Sequence, residues 1–254
     1  GSNFLYKNVD GIFFDMAASQ RVLDTYQNGR GTVLSDILYR GNLDIINGNW
    51  DGYHRLFVKR ENFFEDIATS PFNTPSKIRT VISADFDNDG FDEVFMNNIG
   101  EPNKLFKILD NGKVKEISIK TALEPNGLGT GAAVADIDND GILELLISHG
   151  EVGLQKLTLY KANIVKKKNF IRIKPLNKNG APARGATVTL ISNKRKHAKT
   201  IDSGSGYLCQ MEPVAHYGIR DKEEDFLVKI RWTNGEESTY KINGVGKTYT
   251  YTQK

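Results

Sequence analysis

Residues 79–98 read RTVISADFDNDGFDEVFMNN, and the fold turns on them. A short β-prone run ends at Asp85, an acidic loop with one glycine follows, and a second apolar run resumes after Glu93. Short apolar runs bounded by Asn, Asp and Gly describe a strand, a turn and a strand. The same arrangement returns at 129–149, GTGAAVADIDNDGILELLISH, and in degenerate form at 29–49, GRGTVLSDILYRGNLDIINGN. The leading aspartates are Asp36, Asp85 and Asp136, spaced 49 and 51 residues apart.

Each unit has a second half. RLFVKRENFFEDIA (55–68) and KLFKILDNGKVKEISI (104–119) both read as strand, turn, strand. The opening FLYKNVDGIFFDMA (4–17) matches that second half without the first, and LTLYKAN (157–163) begins it once more. The first 160 residues therefore read as three and a half copies of a four-stranded unit. No long stretch shows the 3.6-residue apolar period of a helix. Repeats of 40–50 residues built from four strands point to an all-β fold, a partial β-propeller. A half unit at the start leads us to expect amino-terminal truncation of a longer parent. Open blade edges then make self-association a hazard.

Composition sets the outer limits. The 254 residues are 39% hydrophobic, which suits a globular protein, and no window approaches the length of a membrane span. A single cysteine, Cys209, excludes an intrachain disulfide and a multi-cysteine metal site. The net charge of +3 hides an asymmetry: residues 1–160 carry 15 lysines and arginines against 23 acids, and residues 161–254 carry 19 against 8. Two halves of opposite sign suggest two domains. Gly1-Ser2 is read as the scar of a cleaved tag, residues 3–163 as the propeller blades, and residues 164–254 as a second β domain. The Lys166-Lys167-Lys168 run at the junction reads as a linker.

The acidic loops carry the chemistry. DxDxDGxxE places oxygens at positions 1, 3, 5 and 9 around a glycine bend. In one loop these are Asp85, Asp87, Asp89 and Glu93; in the next they are Asp136, Asp138, Asp140 and Glu144. Calcium takes six to eight oxygens, commonly including a backbone carbonyl near position 7, here Phe91 and Ile142. The spacing resembles an EF-hand loop, but position 12 holds Met96 and Ile147 in place of glutamate. Carboxylates converging on one turn repel by roughly 4 kcal/mol per close pair at an effective dielectric near 20. Without a cation such a loop should open or take up protons. No cysteine or histidine contributes, which favours calcium over zinc; magnesium's tight octahedron fits less well. The Asp36–Asp44 loop has Leu38 and Arg40 at positions 3 and 5, so it is expected to be metal-free, with Arg40 pairing with its aspartates.

These features resemble the FG-GAP/VCBS repeats of integrin α-subunit propellers and, more closely, the cartilage acidic protein family. The carrying segments are GRGTVLSD (29–36), NGNWDGYHRLF (47–57), RTVISADFDNDG (79–90), GTGAAVADIDNDG (129–141) and SGSGYLCQMEPVAHYGI (203–219). The last of these, with NFIRIKP (169–175), GAPARGATVTL (180–190) and VKIRWTNGE (228–236), resembles the ASPIC/UnbV domain that follows the propeller in that family. The resemblance implies a secreted or cell-surface calcium-binding module that acts in protein or glycan interaction and adhesion. The calcium ligands carry over onto the positions named above.

The second half also reads as all-β, a small sandwich or barrel: IRIKPL, ATVTLIS, YLCQME, FLVKIRW and YTYTQ are strand-like runs between turn signals. Catalytic signatures are absent. None of His54, His149, His197 and His216 lies in a HExxH motif, and there is no GxSxG elbow or Walker loop. GLGTGA (127–132) leads into a strand, unlike a dinucleotide site. His216 and His149 read as structural, and Cys209 as a small buried hydrophobe. Trp50, Tyr53, Tyr207 and Trp232 read mainly as core. The basic run around Lys194-Arg195-Lys196-His197 and Lys199 is either a solvated hairpin tip or a surface for anionic glycans. The expected function is a non-catalytic extracellular calcium-binding module with a protein or glycan partner and no nucleic acid. The alternative is a propeller-based carbohydrate-active enzyme, a lyase or dehydratase, which would need a His, Tyr, Lys or Arg cluster at one pocket.

Overall fold

The computed structural model describes residues 1–150, 153–163, 169–202 and 204–254, so the Lys166–Lys168 run lies outside the described residues. Each expected repeat is a small antiparallel sheet, in a propeller-like arrangement. The chain opens with a ribbon of β1 (Tyr6–Val9) and β2 (Ile12–Asp15). Its Asp10-Gly11 turn has both residues at positive φ, 52° and 87°, as a two-residue hairpin of this twist requires. The first full blade runs β3 (Gly29–Ser35), β4 (Asp44–Asn49), β5 (Arg55–Lys59) and β6 (Phe64–Asp66) in sequential order. The next runs β7 (Ile78–Ala84), β8 (Glu93–Asn98), β9 (Lys104–Ile108) and β10 (Val114–Ile117). The third contains β11 (Gly129–Ala135), β12 (Glu144–His149) and β13 (Thr158–Lys161).

The repeat holds to the residue. The first hairpin of each blade slips its register once, between Gly29 and Gly31, between Ile78 and Thr80, and between Gly129 and Gly131. The bulge sharpens the local twist where neighbouring blades converge. Apolar side chains from successive blades interleave. Val33, Ile46, Leu56, Val81, Met96 and Phe106 close the space between the first two full blades. Ile82, Phe95, Val134, Leu145 and Ile147 do so between the second and third. All of Glu93–Asn98 is buried, because β8 has a blade on each face.

The basic half forms a sandwich. One sheet orders β17 (Ala215–Gly218), β14 (Phe170–Leu176) and β20 (Lys247–Thr252), with β14 and β20 parallel. The other orders β16 (Lys196–Thr200), β15 (Thr187–Ile191), β18 (Leu227–Arg231) and β19 (Glu237–Lys241). Ile171, Ile173, Val188, Leu190, Tyr217, Val228, Ile230 and Trp232 fill the space between them. Trp232 is thus core, as read from sequence, whereas Tyr53 is exposed. Among the described residues no helix is long and apolar enough to cross a membrane.

Candidate metal centre at the acidic loops

Each acidic loop joins the first two strands of its blade. Asn88 and Gly90 in one loop, and Asn139 and Gly141 in the other, share the same left-handed backbone, with φ of 55° and 83° against 59° and 84°. That wind turns successive amides inward and gathers the side chains. Oxygens of Asp85, Asp87 and Glu93 lie within 4.8 Å of one another, as do those of Asp136, Asp138 and Glu144. Asp89 and Asp140 brace the bends: their Oδ1 atoms accept from the Phe91 and Ile142 amides at 3.0 and 2.9 Å. Phe91 and Ile142, expected to supply carbonyls, thus sit at the same point of the two loops.

Asp85 is met by backbone amides, whereas among the described residues Asp136 accepts a single amide, that of Gly141, on Oδ2. Asp85 Oδ2 accepts from the amides of Gly90 at 2.8 Å and Gly218 at 3.0 Å, and its Oδ1 accepts from Asp89 at 3.1 Å. The glutamates hold the loop entrance, with Glu93 Oε2 accepting from Phe86 and Glu144 Oε2 from Ile137. Their other oxygens point to a shared centre.

A lysine stands at that centre. Lys107 Nζ lies 3.0 Å from Asp87 Oδ2, 2.5 Å from Asp89 Oδ2 and 2.8 Å from Glu93 Oε1. Lys161 Nζ lies 2.7 Å from Asp138 Oδ2, 3.0 Å from Asp140 Oδ2 and 2.6 Å from Glu144 Oε1. Strand register places them: Lys107 pairs with Glu93 and Lys161 with Glu144. The sequence argument that a cation-free loop should open or take up protons is met in part: an internal ammonium neutralises some of the charge, and Asp85 and Glu93 are still raised. The neutralisation is incomplete. Burial, with the nearby Asp92 and Asp89 charges, pushes Asp85 up to about 7, and burial with Asp85 lifts Glu93 as well. Asp136 Oδ1 is buried with no donor, and Glu93 Oε1 has no aligned one. Oxygen-only donors, surplus negative charge and unspent lone pairs fit a hard cation.

The Asp36 loop keeps the same amide pattern but has Leu38 and Arg40 where the other loops have carboxylates. Asp36 accepts from the amides of Arg40, Gly41 and Ala198, and Asp44 from those of Ile37 and Lys59. The expected Arg40 pairing is present for Asp44, Nη2 lying 3.7 Å from its Oδ1, while Asp36 is met by the Arg40 amide and not its guanidinium.

The sandwich docks on these loops, and no sequence motif marks which residues meet. Ala198 N reaches Asp36, Gly218 N reaches Asp85, and the Arg172 guanidinium reaches Asp136 at 2.9 Å, so each leading aspartate has a partner from the second half. Arg195 donates to the carbonyls of Gly90 and Gly218 and is held by Glu223 at 2.9 Å. Lys199 Nζ lies 2.7 Å from Asp92, and His197 Nε2 lies 3.3 Å from it. Burial alone would raise Asp92, but Lys199 and His197 outweigh it and hold that carboxyl far below the usual range. The basic run at 194–199 therefore splits: Arg195 and His197 are buried against the acidic loop and Lys199 pairs with Asp92, whereas Lys194 and Lys196 are exposed.

A His–Tyr–Glu cluster does occur at the outer side of the third blade. Glu124 takes hydrogen bonds from Thr158, Tyr160 and His149 at 2.7, 2.6 and 2.8 Å, while His149 Nδ1 meets the Lys156 carbonyl at 2.8 Å. These groups are spent on one another. Cys209 is half-buried, with burial raising its thiol pKa and Sγ lying 3.2 Å from the Ser205 carbonyl.

Comparison with known proteins agrees with this layout. A family model described as FG-GAP-like repeat matches residues 36–96 and 85–147, and one described as ASPIC and UnbV matches 176–254. Cartilage acidic protein 1 of Xenopus tropicalis is 45% identical over 256 residues, covering 95% of this chain and 39% of that protein. The Homo sapiens and Mus musculus proteins of the same name are each 45% identical over 250 residues, covering 93% of this chain and 38% of theirs. The chain thus spans about two-fifths of the length of these relatives. With both repeat and terminal domain matched in this order, the chain belongs to the cartilage acidic protein family.

Proposed function

We propose that this chain is a non-catalytic extracellular module in which two calcium ions, bound at Asp85–Glu93 and Asp136–Glu144, stiffen propeller blades that present a surface to a protein or glycan partner. Carrying the reading is the coincidence of the two loops: the same oxygens gather around the same point in both, with charge to spare. Asp85, Asp87, Asp89 and Glu93, with the Phe91 carbonyl, would hold one ion. Asp136, Asp138, Asp140 and Glu144, with the Ile142 carbonyl, would hold the other. The Asp36 loop stays metal-free because Leu38 and Arg40 replace the carboxylates at positions 3 and 5, and Arg40 brings its own positive charge beside Asp44. Family resemblance supports the secreted setting, where millimolar calcium fills even weak sites, and supports residues 3–163 and 164–254 as two docked domains. The self-contained Glu124 cluster gives no support to a lyase or dehydratase.

The test is thermal unfolding in EDTA, in millimolar calcium and in millimolar magnesium. Calcium at a hundredfold excess over its Kd stabilises by about 2.7 kcal/mol per site. A rise in Tm specific to calcium is expected. Identical melting in all three conditions would overturn the reading.

A further inference from the structure

Within this one chain, acidic loop and facing strand vary together. The two loops with a full acidic set face Lys107 and Lys161, one residue after the aromatics of Leu105-Phe106 and Leu159-Tyr160. In the degenerate loop the corresponding run is Leu56-Phe57-Val58. Continuing the Ile45–Phe57 register by one residue sets Val58 opposite Asp44, the position the lysines hold elsewhere. Where positions 3 and 5 have lost their carboxylates, the facing strand has lost its ammonium. The lysine belongs to the acidic set and not to the blade as such.

We propose, building on the calcium reading above, that Lys107 and Lys161 are tethered cations that close the loops when calcium is absent and are expelled when it binds. The ammonium and a calcium ion need the same lone pairs. Each Nζ lies 2.5–3.0 Å from three carboxylate oxygens of its loop. Calcium takes such oxygens at about 2.3–2.6 Å. Two cations sharing those oxygens would repel each other strongly at that range. Loading is therefore an exchange of one positive charge for two, in which the lysine lowers calcium affinity and preserves the fold of the metal-free protein. Lys107 is the deeper of the two, its side chain 12% exposed against 31% for Lys161.

Two measurements test this. The first titrates calcium calorimetrically into the parent chain, Lys107→Met and Lys161→Met. Each methionine keeps the apolar stem and removes the charge. We expect the affected site to tighten roughly ten- to hundredfold, the span of one charge-assisted hydrogen bond. Melting in EDTA should fall for the same variants. The second uses the unaltered protein: acylation of Lys107 by an N-hydroxysuccinimide ester, followed by peptide mass mapping, should be slow in EDTA and fast in calcium. Equal calcium affinity in parent and variants, or Lys107 labelling that ignores bound calcium, would overturn the exchange while leaving the calcium sites standing. If no protein takes up calcium, the calcium reading itself fails and the exchange falls with it.

Discussion

His216 meets Asn88 with Nε2 2.6 Å from Oδ1, and Asn88 Nδ2 donates in turn to the Gly141 carbonyl at 2.6 Å. One amide thereby joins the sandwich, the second acidic loop and the third. The left-handed backbone of Asn88, which asparagine tolerates well, aims the side chain both ways. The three units are thus fixed relative to one another at the place where the loops gather their carboxylates.

The buried imidazole gives this joint a pH dependence. Burial, with the Lys199 and Arg172 charges, holds His216 down to about 3. Between roughly pH 6.5 and 3 the unfolded chain binds a proton there that the folded chain does not. Stability present at neutral pH is therefore lost on acidification, by about 1.4 kcal/mol per pH unit for this group. His197, also held down to about 3, acts in the same direction, whereas Asp44, raised to about 6 by burial, opposes both below pH 6. Comparison with His216→Gln, whose amide still donates to Asn88, isolates the histidine. Denaturant unfolding at pH 7, 5.5 and 4.5 should show a shallower decline for the variant. Parallel declines would mean that the ring is protonated in the folded state.

Gly141 tests how closely the sandwich is seated. It lies at φ +84°, and a Cβ there would stand 1.8 Å from Phe170 Cε1. Gly180 has nearly the same φ, +81°, with nothing within 4 Å of a Cβ. Gly180→Ala should cost about 1 kcal/mol from backbone strain alone. Gly141→Ala should cost roughly 1–3 kcal/mol more, from overpacking against Phe170. Equal losses by denaturant unfolding would show that Phe170 yields freely.

The blades were legible because repetition writes the same strands and the same acidic loop more than once. DFDNDG and DIDNDG fix the bend, and the carboxylates at positions 1, 3, 5 and 9 follow from it. Lys107 and Lys161 were not read, although both follow an aromatic in the next strand. Their role depends on cross-strand register, which a linear pattern does not reveal. Charge asymmetry was legible as a sign of two domains but not as the attraction between them. Arg172, Arg195 and Lys199 carry the positive half onto the negative one, so each half is the other's electrostatic partner.

Arg195 is where guanidinium geometry decides. It reaches Gly90 O, Gly218 O and Glu223 Oε1 from one buried plane. Lysine keeps the charge but cannot span three acceptors in different directions. Arg195→Lys should lose about 1.5–3 kcal/mol, the range for one hydrogen bond to a charged group. A variant as stable as the parent in urea would show that charge alone suffices.

Arg172 connects stability to metal. Its guanidinium pairs with Asp136 and Glu212, and both the arginine and Asp136 are buried. Arg172→Met leaves the Asp136 charge without its buried partner, at a cost of about 3–5 kcal/mol in the metal-free protein. If Asp136 helps to hold calcium, the ion supplies the missing positive charge. The Tm gap between variant and parent should therefore be wide in EDTA and narrower in millimolar calcium. A gap of the same size in both would place Asp136 outside the cation site and leave Arg172 as a docking contact alone.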